Sequence, residues 1–508
     1  MTTAPLKKTA LDKDLGRLAR FEQGLASGGQ GIAKAGVGLL FLIAVWILAT
    51  VGHYEVSFLP TYANSAFVVA AAVIGGYMAL NIGANDVANN VGPAVGSKAL
   101  TLFGALLIAA VFEAGGAIIA GGDVVSTIKN GIIDPSLMPS ADVFVKAMMA
   151  ALLAAALWLN LATAIGAPVS TTHSIVGGVM GAGIAATGFS AVNWGTMGAI
   201  AASWVISPVM GGVIAAAFLA FIKIMILSQP DKLARARRWV PVLIAIMCAV
   251  FSSYLMMKGL KKIWKVDAAT IALVSGAVFV LAWAATRPLV ARAAAGLENR
   301  RKAVSSLFTI PLILSAALLS FAHGANDVAN AVGPLAAIVD SAQSGIISTK
   351  VGIPLWVMLV GAVGIAAGLI LFGPRLIRTV GQEITKLDRT RAFCVALAAA
   401  ITVILASALG LPVSSTHIAV GGIFGVGFLR EYLSSRPHAA PVHKDDQAAF
   451  ANVAEDPEAR REKIRRKIEK AQRRKLVRRS HMLTIGAAWV ITVPLAALLF
   501  YFMDALIG

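Results

Sequence analysis

About a dozen apolar runs, most of them near twenty residues long, divide this 508-residue chain. They lie near 31–52, 62–84, 100–121, 143–165, 173–190, 193–226, 238–256, 268–286, 307–325, 351–372, 392–410, 416–429 and 482–505. A bilayer core about 30 Å thick is crossed by about 20 apolar residues of helix. The runs therefore predict an all-α, polytopic membrane protein of about 12–13 transmembrane helices. Composition agrees: 58% of residues are hydrophobic and only 14% charged. Soluble domains are about half apolar and about a quarter charged, so a soluble multi-domain enzyme is excluded. Two cysteines, Cys248 and Cys394, both inside apolar runs, exclude a disulfide scaffold and read as packing residues.

The net charge of +19 gathers between the apolar runs. Anionic headgroups and the positive-inside rule account for it, and no nucleic-acid partner is implied. One set of loops carries Lys232, Arg235, Arg237 and Arg238, then Arg287, Arg292, Arg300, Arg301 and Lys302, then Arg375, Arg378, Lys386, Arg389 and Arg391. The densest run, Arg460 to Arg479, lies in a loop at 434–481. It reads as a solvated cytoplasmic loop or as a charged helix on the membrane surface. The loops at 53–61 and 331–350 are nearly uncharged, whereas Lys258, Lys261, Lys262 and Lys265 fall on the expected outer side. The N-terminus and the basic loops are thus expected in the cytoplasm of a cell-membrane protein. The run at 31–52 follows a polar stretch with no clear cleavage site after it and reads as an anchor helix.

The chain also repeats itself. Gly83-Ala84-Asn85-Asp86-Val87-Ala88-Asn89 returns as Gly324-Ala325-Asn326-Asp327-Val328-Ala329-Asn330, each followed by Val-Gly-Pro at 91–93 and 332–334. Pro168-Val169-Ser170-Thr171-Thr172-His173 returns as Pro412-Val413-Ser414-Ser415-Thr416-His417. A fainter echo joins Trp204–Ser207 to Trp489–Thr492. With every run counted as a crossing, the Asn-Asp copies end spans an odd number apart, so the copies should be inverted. Inverted repeats with midplane sites at broken helices mark secondary transporters. The organisation expected is an N-terminal segment and extra anchor at 1–52, a first repeat at 62–226, a variable middle with two spans at 227–306, and a second repeat at 307–433 and 482–508. The basic loop at 434–481 interrupts the second repeat.

Asp86 and Asp327 stand at the ends of apolar runs, and carboxylates at membrane depth are costly unless paired or hydrated. Asn85, Asn89, Asn326 and Asn330 flank them. Pro93 and Pro334 would each free a carbonyl four residues back. Such oxygens together make a hard-cation site for Na⁺, or a proton-binding carboxylate. A polar seam between helices is the plainer reading. In the second motif Gly166 and Gly410 break the chain, and Pro168 and Pro412 suit a first helical turn. Ser170, Thr171, Thr172, Ser414, Ser415 and Thr416 then line two helix starts, which bind anions or are simply capped. His173 and His417 read as structural. Glu113, in mid-run, is a functional candidate or a salt-bridge partner of Lys129 or Lys146.

These paired motifs resemble the inorganic phosphate transporter (PiT) family over about 62–505, with 1–52 an addition to its core. The resemblance implies symport of inorganic phosphate with Na⁺ or H⁺ by elevator-like or rocking alternating access. It implies two re-entrant helical hairpins with phosphate at their tips, held by Ser170, Thr171, Thr172, Ser414, Ser415 and Thr416. It implies cation coupling by Asp86, Asn89, Asp327 and Asn330, with Asn85 and Asn326 beside them, and it matches Glu113 to a family glutamate. It also implies a homodimer. Ala396 stands where many relatives carry a glutamate. A sulfate symporter of the same fold is the runner-up. An enzyme of phosphorylated lipids would need a nucleophile or a cluster of metal-binding acids, which the motifs lack, so no enzyme and no cofactor is expected. No Walker-type sequence suggests an ATP-driven pump, and a channel gives no reason for paired cation and anion motifs.

Overall fold

Residues 31–50, 65–165, 169–259, 266–344, 346–347, 352–379, 387–435 and 498 are described by the structure, a computed structural model. Residues 1–30, the basic loop from 436 on and the expected last span apart from residue 498, with its echo at Trp489–Thr492, lie outside the described residues. So do Gly166, Pro168, Lys261, Lys262, Lys265 and Lys386.

The described chain is helical, with a lone antiparallel bridge between Ile133 and Val192. The helices are α1 (Gly31–Thr50), α2 (Ser65–Gly96), α3 (Leu102–Ala120), α4 (Gly122–Asn130), α5 (Ala141–Ile165), α6 (Thr171–Thr187), α7 (Trp194–Ile222) and α8 (Lys232–Tyr254). They continue as α9 (Ala268–Ala293), α10 (Arg301–Leu307), α11 (Thr309–Asp327), α12 (Ala329–Ser344), α13 (Leu355–Leu371), α14 (Gly373–Thr379), α15 (Arg389–Ala408) and α16 (Ser415–Ser435). Among the described residues, nine helical segments are long and apolar enough to cross a membrane, α11 and α12 counting as one. Helix starts are set by short polar caps. Thr101, Asn193, Asp231, Asp267 and Asp388 each accept a hydrogen bond from the backbone N–H three residues on.

Contacts between helix ends sort them onto two faces. On the first, Arg389 donates to the Lys98 carbonyl and to Thr309, while Lys232 N donates to Asn299. The end of α2 and the starts of α8, α10, α11 and α15 therefore share the basic face. On the opposite face, Asn193 N donates to the Ile132 carbonyl, and Lys258 pairs with Asp123. Helix α2 runs toward the basic face and α11–α12 runs away from it. The repeats are inverted, as expected. The reason differs from a plain count of spans, because the runs at 173–190 and 416–429 are not crossings. They form the returning arms of hairpins α5–α6 and α15–α16. Each such hairpin replaces two counted crossings with none, which leaves the parity unchanged.

The expected helix breaks at the Asn-Asp motifs are small. Helix α2 continues through Asp86 and Pro93 to Gly96, so the end of the apolar run at 84 is not the end of the helix. In the second copy only a turn at Val328 separates α11 from α12. The long run from 193 is one helix, α7, with Pro208 inside it and a π turn at Lys223–Leu227.

The repeats interlock through glycines. A Cβ on Gly83 would lie 2.0 Å from the Ile365 carbonyl oxygen of α13, and one on Gly324 would lie 2.0 Å from the Glu113 carbonyl oxygen of α3. Reciprocally, Gly368 meets the Leu80 carbonyl and Gly116 the Phe321 carbonyl, each at 2.0 Å. Each repeat's motif helix thus packs backbone to backbone on the other repeat's following helix. Lys129 of α4 and Asp340 of α12, 3.2 Å apart and buried, form an ion pair between the repeats.

Candidate functional site: two hairpin tips on a pair of buried aspartates

The two motif pairs meet in the protein interior. Asn85, Asp86 and Asn89 project from α2, Asn326 and Asp327 from the end of α11, and Asn330 from the start of α12. All are buried, as are Ser170, Thr171, Thr172, Ser414, Ser415 and Thr416 at the hairpin tips. Hydrogen bonds join the residues of both motif pairs, and Glu113 lies beside them on α3.

Their roles divide by position within the motif. The first asparagine brackets its own hairpin. Asn85 Oδ1 accepts from Val169 N at 3.4 Å and its amide donates to Thr163 at 3.0 Å. Asn326 Oδ1 accepts from Val413 N at 3.3 Å and its amide donates to Ser407 at 2.9 Å. The aspartate faces its own hairpin tip: Thr171 donates to Asp86, and Ser415 donates to Asp327 Oδ2 at 3.3 Å. The second asparagine reaches across to the other tip. Asn89 donates to Thr416 at 2.8 Å, and Asn330 to Thr172 at 3.3 Å. Thr416 also donates to Asp86 Oδ1 at 3.1 Å, and Thr172 to the Val413 carbonyl at 2.9 Å. Asp86 thus receives hydroxyls from both hairpins.

Ser170 and Ser414 are N-caps, their Oγ atoms accepting from the backbone N–H of His173 and His417 at 3.2 and 3.3 Å. Gly410, with φ +69°, supplies the left-handed turn that ends α15 before the second tip, and its carbonyl accepts from Thr127. The rings of His173 and His417 lie 4.9 Å apart, with Trp204 edge-on to His173 and its indole N–H on the Pro412 carbonyl. They pack behind the tips.

Glu113 meets neither Lys129 nor Lys146. Asn90 donates to its Oε1 at 2.7 Å, and His323 Nδ1 lies 3.2 Å from its Oε2. The other ring nitrogen of His323 lies 2.8 Å from Asp327 Oδ2 and 3.9 Å from Asp86 Oδ2. Glu113 therefore touches the paired aspartates only through His323. Sequence reading missed His323 and Asn90. Their counterparts in the other repeat are Ile82 and Ala331, so a search for duplicated residues passes over them. A polar residue directly before Gly324, within an apolar run, was the available signal.

Residues 82–499 match the family described as the phosphate transporter family. The chain belongs to that family. It is 47% identical to an inferred phosphate permease of Helicobacter pylori (strain J99), over 96% of this chain and 97% of that one. It is 39% identical to another from Pyrococcus abyssi, over 70% of this chain and 88% of that one. Among solved structures it is similar to a sodium-dependent phosphate transporter, with a TM-score of 0.74 and 32% identity over 87% of this chain and 99% of that one. This phosphate transporter family member is a polytopic membrane transport protein and not an enzyme.

Proposed function

We propose that the chain takes up inorganic phosphate by symport with Na⁺, with Asp86, Asn89, Asp327 and Asn330 as cation ligands. In this reading the tip hydroxyls of Thr171, Thr172, Ser415 and Thr416 hold phosphate, while Ser170 and Ser414 order the tips as caps. The observation that carries the reading is the convergence of both hairpin tips on Asp86, through Thr171 and Thr416. A cation on the aspartate and an anion on the tips would share hydroxyls, so each would stabilise the other. The similarity to a sodium-dependent transporter supports Na⁺ over H⁺. By the positive-inside rule the basic face is read as cytoplasmic; Gly38, in the first half of α1, lies on that side, since a Cβ on it would stand 3.5 Å from the ring of Phe372 at the end of α13.

Radiolabelled phosphate uptake into proteoliposomes tests this, under a Na⁺ gradient and separately a proton gradient, with sulfate as competitor. Uptake driven by Na⁺ and resistant to sulfate is expected. Uptake driven only by protons overturns the choice of ion, and uptake abolished by sulfate overturns the choice of substrate.

A further inference from the structure

We propose that Lys258 and Asp123 form a clasp that closes the site toward the face opposite the basic one, by holding the turn of the second hairpin. The inference rests on the reading of the hairpin tips as the substrate site and adds the residues that govern access to it.

Three parts of the chain meet in the clasp. Lys258 comes from the variable middle, in the π turn Leu255–Gly259 that prolongs α8. Its Nζ pairs with Asp123 in the first turn of α4. It also donates to the carbonyl of Ala408, the last residue of α15, at 2.8 Å. One turn further along α4, Thr127 donates to the Gly410 carbonyl at 2.7 Å. Asp123 and Thr127 belong to the first repeat, Ala408 and Gly410 to the second. The tip hydroxyls of Ser414, Ser415 and Thr416 follow directly on this turn. Movement of one repeat against the other therefore pulls the turn away from its holders.

The chemistry suits a contact that closes and opens. The last carbonyls of a helix have no donor within it, and the helix dipole favours a cation there. An ammonium between membrane helices needs a counter-charge, which Asp123 supplies. The Lys258 side chain is 14% exposed and that of Asp123 43%, so water reaches the pair from the carboxylate side. An ion pair wetted in this way fixes geometry but adds little net stability, because hydration offsets its loss. Tyr254, one turn before Lys258, has a buried hydroxyl with no hydrogen-bond partner among the described residues, within electrostatic reach of Asp123. A buried donor of this kind is costly until it finds an acceptor, and Asp123 becomes available once Lys258 withdraws.

The ion pair occurs on one face only. Counted from the matched glycines Gly116 and Gly368, Thr127 has the counterpart Thr379, whereas Asp123 has Arg375. Lys258 lies outside both repeats. A contact that every hairpin turn needs would recur with the inversion, as the threonine does. Lys258 is also one of the lysines that depart from the positive-inside pattern, and the clasp accounts for its place on that face.

The test is thiol labelling of the full chain in cells, with Cys248 and Cys394 replaced by alanine and Val413→Cys as the reporter. Val413 is 1% exposed, and its carbonyl accepts from Thr172 of the other tip. A membrane-impermeant maleimide added to intact cells should label this chain slowly. Adding Lys258→Met should speed labelling about tenfold, the scale of a modest population shift, with no rise in inside-out vesicles. Lys258→Arg keeps the charge and the donors and should restore slow labelling. Asp123→Asn should act as Lys258→Met does, and the two together no more than either alone. Gel filtration checks that the variants remain folded, and Asp123→Asn, at the more exposed position, decides if Lys258→Met does not. No rise overturns the clasp. So does an equal rise from both sides, a rise in inside-out vesicles alone, or a failure of Lys258→Arg to restore the slow rate. Na⁺-driven phosphate uptake by the parent chain separates the two readings. Uptake without the one-sided rise removes only the clasp, and the one-sided rise in a chain that takes up no phosphate removes only the substrate.

Discussion

Thr416 is the residue on which the two halves of the site depend most directly. Its hydroxyl donates to Asp86 of the first repeat and accepts from Asn89, although its own helix belongs to the second. Thr416→Val keeps the shape and removes both bonds. Hydrogen bonds to charged groups contribute about 1.5–3 kcal/mol, so the variant should lower the apparent Na⁺ affinity of phosphate uptake about tenfold or more. Thr402→Val is the matched control. Thr402 is also buried on the second hairpin, but its hydroxyl bonds only to the Ala398 carbonyl one turn back. Uptake kinetics across a Na⁺ series check both, and equal effects would return Thr416 to a packing role. Thr416 was legible in the sequence because its motif is duplicated. His323 and Asn90 were not, because Ile82 and Ala331 replace them in the other copy. A repeat reveals what both copies need and hides what one copy adds.

At the scale of elements, the helices were legible as apolar runs and their limits were not. Hydropathy registers side chains, so it stopped at residue 84, where Asn85, Asp86, Asn89 and Asn90 begin. The backbone of α2 continues because these side chains find partners on α3 and on both hairpins. Close approach of α2 to α13 and of α11 to α3 requires Gly83 and Gly324. Small residues permit such backbone contact between membrane helices. Gly83→Ala or Gly324→Ala would place a methyl 2.0 Å from a carbonyl oxygen, so both helices must separate. Each should cut the yield of folded protein sharply and lower its melting temperature in detergent. Gly115→Ala, whose nearest neighbour would be Phe321 Cε2 at 4.0 Å, should leave both nearly unchanged. Thermal unfolding in detergent measures all three, and a tolerated Gly83→Ala would contradict the packing described.

For the whole molecule, inversion places the bases of the two hairpins on opposite faces. Hairpin α5–α6 opens beside the start of α7, where Asp134 N bonds to the Ala191 carbonyl, and hairpin α15–α16 opens on the basic face with Arg389. Helix α7 packs on α15 and α16 and spans between the two openings, so its length fixes the distance from one hairpin base to the other. The tips meet because each hairpin stops at the depth of Asp86 and Asp327. In the proposed symport, alternating access would reach such a site from one face or the other by moving one repeat against the other. Positive residues then decide which opening faces the cytoplasm. With Cys248 and Cys394 replaced by alanine, Ser190→Cys marks the base of the first hairpin and Tyr432→Cys that of the second. Both positions are exposed. A membrane-impermeant thiol reagent added to intact cells should label the cysteine at 190 and not the one at 432, and inside-out vesicles should reverse the pattern. Labelling of both from one side would mean that the hairpins enter together. Asp86 and Asp327 would then lie on a single path from one face, and the tips could not act as opposed gates.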